Sequence, residues 1–132
     1  MNRFEDLRIW QKAHSLMIEI FEIVKRLPLE EKYRIKNQIE RSSASVGANI
    51  AEGYTSYYFK DKIKFLYIAR KEAGETQNHI RAMEARKYIS SDQSTKLVSE
   101  YQGLIKGINA FINYIRDKQK IESKKPNHPL SY

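Results

Sequence analysis

The sequence predicts an all-α protein, an antiparallel up-down-up-down four-helix bundle, on three observations. Four stretches carry apolar residues at steps of three and four, the spacing that puts them on one face of a helix. Short breaking segments separate them, at Leu27-Pro28, at Tyr54 to Phe59 and at Ser90-Ser91-Asp92. No stretch alternates like a strand for a useful length, and there is no internal repeat. Four amphipathic helices on short loops pair most simply with their antiparallel neighbours.

The first helix is expected from about Asp6 to Arg26, with Trp10, Ala13, Met17, Ile20, Val24 and Leu27 inward. Asp6 is placed to cap it, and Pro28 ends it by pushing its predecessor out of helical geometry. Glu30 and Glu31 suit the positive end of the second helix, whose inner face reads Ile35, Ile39, Ser42, Val46 and Ile50. Within it, Ser42, Ser43, Ala44, Ser45, Gly47, Ala48 and Ala51 leave little side chain on either face. Serine and glycine weaken a lone helix, so this one relies on a neighbouring backbone coming close. Gly53 is read as the residue that closes it in the left-handed conformation.

The third helix should span about Lys60 to Lys87, with Ile63, Leu66, Ala69, Ala73, Thr76, Ile80 and Met83 inward. The fourth follows the Ser90-Ser91-Asp92 signal to about Lys118, on Leu97, Tyr101, Leu104, Ile108, Phe111 and Ile115. The domain division is therefore a bundle over 1–118 and a basic tail over 119–132, where the stripe stops and Pro126 and Pro129 intervene. Ile9, Phe21, Phe65, Ile68, Ile105 and Ile112 fall outside the narrow stripes and point to an interface between copies.

At 132 residues the chain is long enough for one buried core. No apolar run is long enough to cross a bilayer, and the charged opening MNRFEDLRIW is unlike a signal peptide, so a cytoplasmic protein is expected. Cysteine is absent, which removes disulfides, thiolate ligands and thiol nucleophiles. The 24 basic residues outnumber the 16 acidic ones, for a net charge of +8 that favours polyanionic partners.

Catalytic patterns are missing. A di-iron bundle needs Glu-x-x-His on two helices, whereas here Glu75 and His79 are four apart and read as an ion pair. Ser42, Ser43 and Ser45 have no glycine elbow, and the five glycines form no phosphate-binding loop. The expectation is a non-enzymatic protein with no cofactor, no metal and no small-molecule substrate.

Two segments carry a resemblance: Phe4-Glu5-Asp6-Leu7 with Trp10-Gln11-Lys12-Ala13, and the block Asn49-Ile50-Ala51-Glu52-Gly53. From about Phe4 to Lys118 the chain resembles the four-helix-bundle family encoded within intervening sequences of bacterial 23S ribosomal RNA genes, the S23 ribosomal protein family. The resemblance implies a ring-like homopentamer and an association with RNA or the ribosome. It marks Trp10, Asn49, Glu52, Gly53 and Glu75 as family positions. Asn49 and Glu52 read either as a polar site or as structural groups bonded to helix-end amides or to Arg41 across a subunit boundary. After Gly53, relatives tend to continue with Gly-Arg, where this chain has Tyr54-Thr55-Ser56.

The positive charge is concentrated in the third helix, where eight basic residues face four acidic ones between Lys60 and Lys87. Lys60, Lys62, Lys64, Arg70 and Lys71 are candidates for neutralising phosphates, and Tyr57 and Tyr58 for stacking on unpaired bases. Packing of these tyrosines into a subunit interface is the competing reading. Two functions stand: an oligomer that associates with RNA, and a homo-oligomeric assembly or protein-interaction module with no nucleic-acid role.

Overall fold

A 3-10 turn at Phe4–Asp6 leads into helix α1, Arg8–Val24, and a second turn at Leu29–Glu31 precedes α2, Ile35–Thr55. Helices α3, Phe59–Ala85, and α4, Ser91–Ser123, complete the chain. The computed structural model describes residues 3–126, and among them there is no strand. Helix α2 packs on α1 and on α3, α3 packs on α4, and α4 closes more loosely on α1. The result is a four-helix bundle.

Its core is a column of fully buried aliphatic side chains, among them Leu16, Ile20, Ile39, Ile50, Leu66, Ile80, Met83, Leu97 and Ile108. Two stripes are centred differently from expectation. In α1, Leu16 and Ile23 are buried while Trp10 and Met17 are half-buried; in α4, Ile112 is buried and Phe111 borders a cleft. Both helices carry apolar residues on either side of the stripe, so neighbouring helices decide where the buried sector is centred. Ile112, expected at an interface between copies, thus belongs to this core; Ile9, Phe21, Phe65, Ile68 and Ile105 are half-buried.

The small residues of α2 are shared between neighbours: Gly47 faces Trp10 and Ala13 of α1, and Ser42 and Gly53 serve the contact with α3. Ser42 and Ser43 are buried, and the Ser42 and Thr76 hydroxyls meet at 2.8 Å in the interface. Gly53 does not close the helix: α2 continues to Thr55, and no described glycine has a positive φ. A Cβ on Gly53 would lie 3.1 Å from the Lys62 carbonyl oxygen and 3.2 Å from Leu66 Cγ. Glycine is there for the approach of α3. The helix end is closed by hydroxyls, with Thr55 Oγ1 donating to the Ala51 carbonyl at 2.9 Å and Ser56 Oγ to that of Glu52 at 2.6 Å.

Asp6 lies in the 3-10 turn, and α1 starts on Leu7 with no side-chain cap. Glu30 and Glu31 likewise sit in the second turn, ahead of α2. Glu31 is buried and ion-paired with Arg34 and, at 3.7 Å, with Arg86, tying that turn to the end of α3. Ser90 caps α4 as expected, its hydroxyl accepting from the Gln93 amide at 3.1 Å. Lys87 ends α3 with a φ of 63°, and the Tyr88 amide returns to the Met83 carbonyl at 2.9 Å.

Helix α4 continues past Lys118 to Ser123. The missing apolar stripe reports the end of burial, while Lys, Gln, Ile and Glu continue a solvated helix well. Of the expected tail, residues 127–132 lie outside the described residues.

Candidate nucleic-acid interface

Residues two apart on a helix point to nearly opposite sides, whereas those four or seven apart share a line. Lys60, Lys64 and Lys71 accordingly lie along the outer face of α3, all exposed. From Lys60 to Lys71 this line runs about 16 Å at the helical rise per residue. None of the three enters an ion pair among the described residues. At its start, in the α2–α3 turn, Tyr57 and Tyr58 meet edge to face with ring centres 4.9 Å apart. They are 78% and 41% exposed, so neither is spent on the core of the bundle.

Lys62 and Arg70 do not belong to this line. Lys62 is half-buried, and its ammonium donates to the Tyr54 carbonyl at 2.9 Å. Burial, helped by the nearby Lys118 charge, holds its pKa below the usual lysine value. Arg70 turns toward α4, donating to Asn109 Oδ1 at 2.8 Å. Its guanidinium is 4.7 Å from the ring centre of Tyr67, whose hydroxyl accepts from Arg116. The Arg70–Tyr67–Arg116 cluster was missed from sequence; the three-residue step from Tyr67 to Arg70 was its only local signal.

Of the family positions, Trp10, Gly53 and Glu75 sit at contacts between helices. Trp10 stacks on His14 with ring centres 4.6 Å apart, takes Phe4 edge-on at 5.3 Å, and lies against Gly47 of α2. Asn49 Nδ2 donates to the carbonyl and hydroxyl of Ser45, both at 2.9 Å, while Glu52 is exposed at the end of α2. Arg41 is engaged within its own chain. It donates to Glu72 at 3.3 Å and to Glu75, and Glu75 meets His79 Nε2 at 3.3 Å, a contact between residues four apart on α3.

These groups join α2 to α3 electrostatically. Burial raises the Glu72 pKa, and the adjacent Glu75 carboxylate raises it further. Burial also acts upward on Glu75, but its bonds with Arg41, Glu72 and His79 bring it below the usual carboxylate value. Among the described residues no group of three or more His, Asp or Glu side chains is arranged to hold a metal ion. No helix among them is long and apolar enough to cross a membrane.

A fold of this kind has known counterparts. The family model for the 23S rRNA-intervening sequence protein matches residues 5–110. The chain belongs to that family. A crystal structure from the S23 ribosomal protein family, of a Bacteroides thetaiotaomicron VPI-5482 protein with unknown function, superposes with a TM-score of 0.74. The two are 29% identical, over 80% of this chain and 95% of that one. No curated protein matches. In this member of the 23S rRNA-intervening sequence family, the NIAEG block is followed by Tyr54-Thr55-Ser56 and then by the cations of α3.

Proposed function

We propose that the protein is a non-enzymatic, cytoplasmic homo-oligomer that associates with RNA, ribosomal RNA or the ribosome being the partner its family name suggests. The observation that carries this reading is the line of three exposed lysines with no ion pair among the described residues, beginning beside two exposed tyrosines. Lysines in that arrangement neutralise successive phosphates, and the tyrosine rings offer stacking faces for unpaired bases. Lys62 and Arg70 contribute positive potential and hold neighbouring groups in place. A homopentamer, as the family resemblance implies, would repeat the lysine line around a ring, so weak contacts would add through multivalency.

The second reading, an assembly module without a nucleic-acid role, rests on exposed apolar surface that the homo-oligomer of the first reading would also use. Ile18, Leu29 and Tyr33 are 49%, 85% and 80% exposed, apolar surface that a second protein would cover. Light scattering on the purified protein, with and without a structured ribosomal RNA fragment, separates the two. RNA association predicts a complex at low salt that dissociates at high salt; an oligomer that ignores RNA at both salts supports the assembly module.

A further inference from the structure

At the α2–α3 end of the bundle a cleft of about 740 Å³ opens between that turn and α4. Its size is that of a small-molecule site. Leu7 and Ile115 are nearly buried at its base, 5% and 7% exposed. Tyr54, Phe59, Phe111 and Tyr114 supply the walls, and the polar side chains at its edge include two lysines, Lys62 and Lys118, but no acid. The Phe111 and Tyr114 rings are 5.9 Å apart and within 20° of parallel.

We infer that this cleft binds a small aromatic anion, its ring among the four aromatic side chains and its charged group between Lys62 and Lys118. The occupant follows from what each part of the cleft lacks. Lys62 has three N–H donors, and its hydrogen bond is to the Tyr54 carbonyl. Neither lysine enters an ion pair among the described residues, and the Lys118 charge disfavours that of Lys62. An anion there replaces repulsion by two charge-assisted contacts in partly desolvated surroundings. Lys62 and Lys118 lie 6.0 and 5.4 Å from the ring centres of Tyr54 and Tyr114. A bare inorganic anion would make no use of the Phe59, Phe111 and Tyr114 rings, and a neutral ring would leave the two ammonium charges without a counter-charge. A planar ring gains offset or edge-on contacts with four aromatic neighbours.

An aryl carboxylate and a nucleoside monophosphate share this chemistry, and calorimetric titration separates them. The probes are 2-naphthoate, its neutral counterpart 2-naphthalenemethanol, and adenosine monophosphate, each titrated into the full chain. Binding of 2-naphthoate at one site per chain is expected, roughly tenfold or more tighter than the alcohol. Lys62→Met and Lys118→Met should each weaken it by a similar factor, and Lys106→Met on the outer side of α4 should leave it unchanged. Tighter, equally lysine-dependent binding of adenosine monophosphate would support the site and assign it to nucleotides. Equal affinity for naphthoate and alcohol, or no heat from either anion at millimolar concentration, overturns the inference. The wild-type comparison of acid with alcohol holds even where a variant folds poorly.

Discussion

Ser42 of α2 and Thr76 of α3 join their hydroxyls at 2.8 Å, both residues fully out of solvent. Thr76 also donates to the Glu72 carbonyl at 2.9 Å, which leaves its oxygen to accept from Ser42. Thr76→Val therefore leaves the buried Ser42 hydroxyl only its longer, 3.4 Å contact with the Ile39 carbonyl, and is expected to cost about 1–3 kcal/mol. Ser42→Ala with Thr76→Val removes both polar groups and should cost less than the sum of the singles. Urea unfolding of the four proteins measures this, and strict additivity would show that the hydroxyls do not interact.

Gly53 and Gly74 both lie within helices, yet opposite outcomes are expected from alanine. At Gly53 the new methyl meets the Lys62 carbonyl and Leu66, so α3 must move; overpacking of about 1–3 kcal/mol exceeds the roughly 1 kcal/mol that alanine adds to a helix. At Gly74 a Cβ meets nothing within 4 Å, and alanine should stabilise by up to about 1 kcal/mol. Thermal melts showing the two variants shifting in the same direction would contradict this.

These glycines also show what was legible in the sequence. Helix number, order and most core positions followed from period and turn signals, because burial and helical spacing are the same property seen twice. Gly53 was misread because glycine serves a left-handed closure and a close helix approach equally well, and only the position of α3 separates them. The different placement of Lys62 is legible in its spacing. Alternate positions cannot share a helix face, so Lys60, Lys62 and Lys64 had to divide between the outer line and the interior. Arg41 with Glu72 and Glu75, and Tyr67 with Arg116, bring together residues from different helices, and periodicity within one helix carries no trace of such pairs.

Tyr101 is fully buried in the first half of α4, and its hydroxyl has no hydrogen-bond partner among the described residues. Burial, with the Glu19 charge adding to it, pushes its pKa well above the usual tyrosine value, so the phenol stays neutral. Tyr101→Phe removes a desolvated hydroxyl that gains nothing in return. Stability should be unchanged or higher by up to about 1 kcal/mol. A clear loss in chemical denaturation would reveal a partner for that oxygen.

Glu72 and Glu75 should bend the pH dependence of stability in opposite senses. Glu72 has a folded pKa above its unfolded value, so its contribution is present below the unfolded pKa and lost as pH rises through the folded one. Glu75 has a lowered pKa, so its contribution is present above the unfolded value and lost as pH falls through the folded one. Glu72→Gln leaves only the second, and its urea midpoint should climb more steeply than wild type between roughly pH 3 and pH 6. Glu75→Gln should climb less steeply. Profiles parallel to wild type would mean the two carboxyls titrate as if exposed.

The salt dependence of RNA binding tests the central claim most directly. The comparison is wild type against Lys60→Gln/Lys64→Gln/Lys71→Gln, on a single-stranded ribosomal RNA fragment, by fluorescence anisotropy over a range of potassium chloride concentrations. If the lysine line follows phosphates, affinity falls at every salt. The slope of log affinity against log salt should also shrink by roughly 0.7 for each lysine removed. An unchanged slope in the folded triple variant would contradict the proposal and place any RNA contact on another face of the bundle.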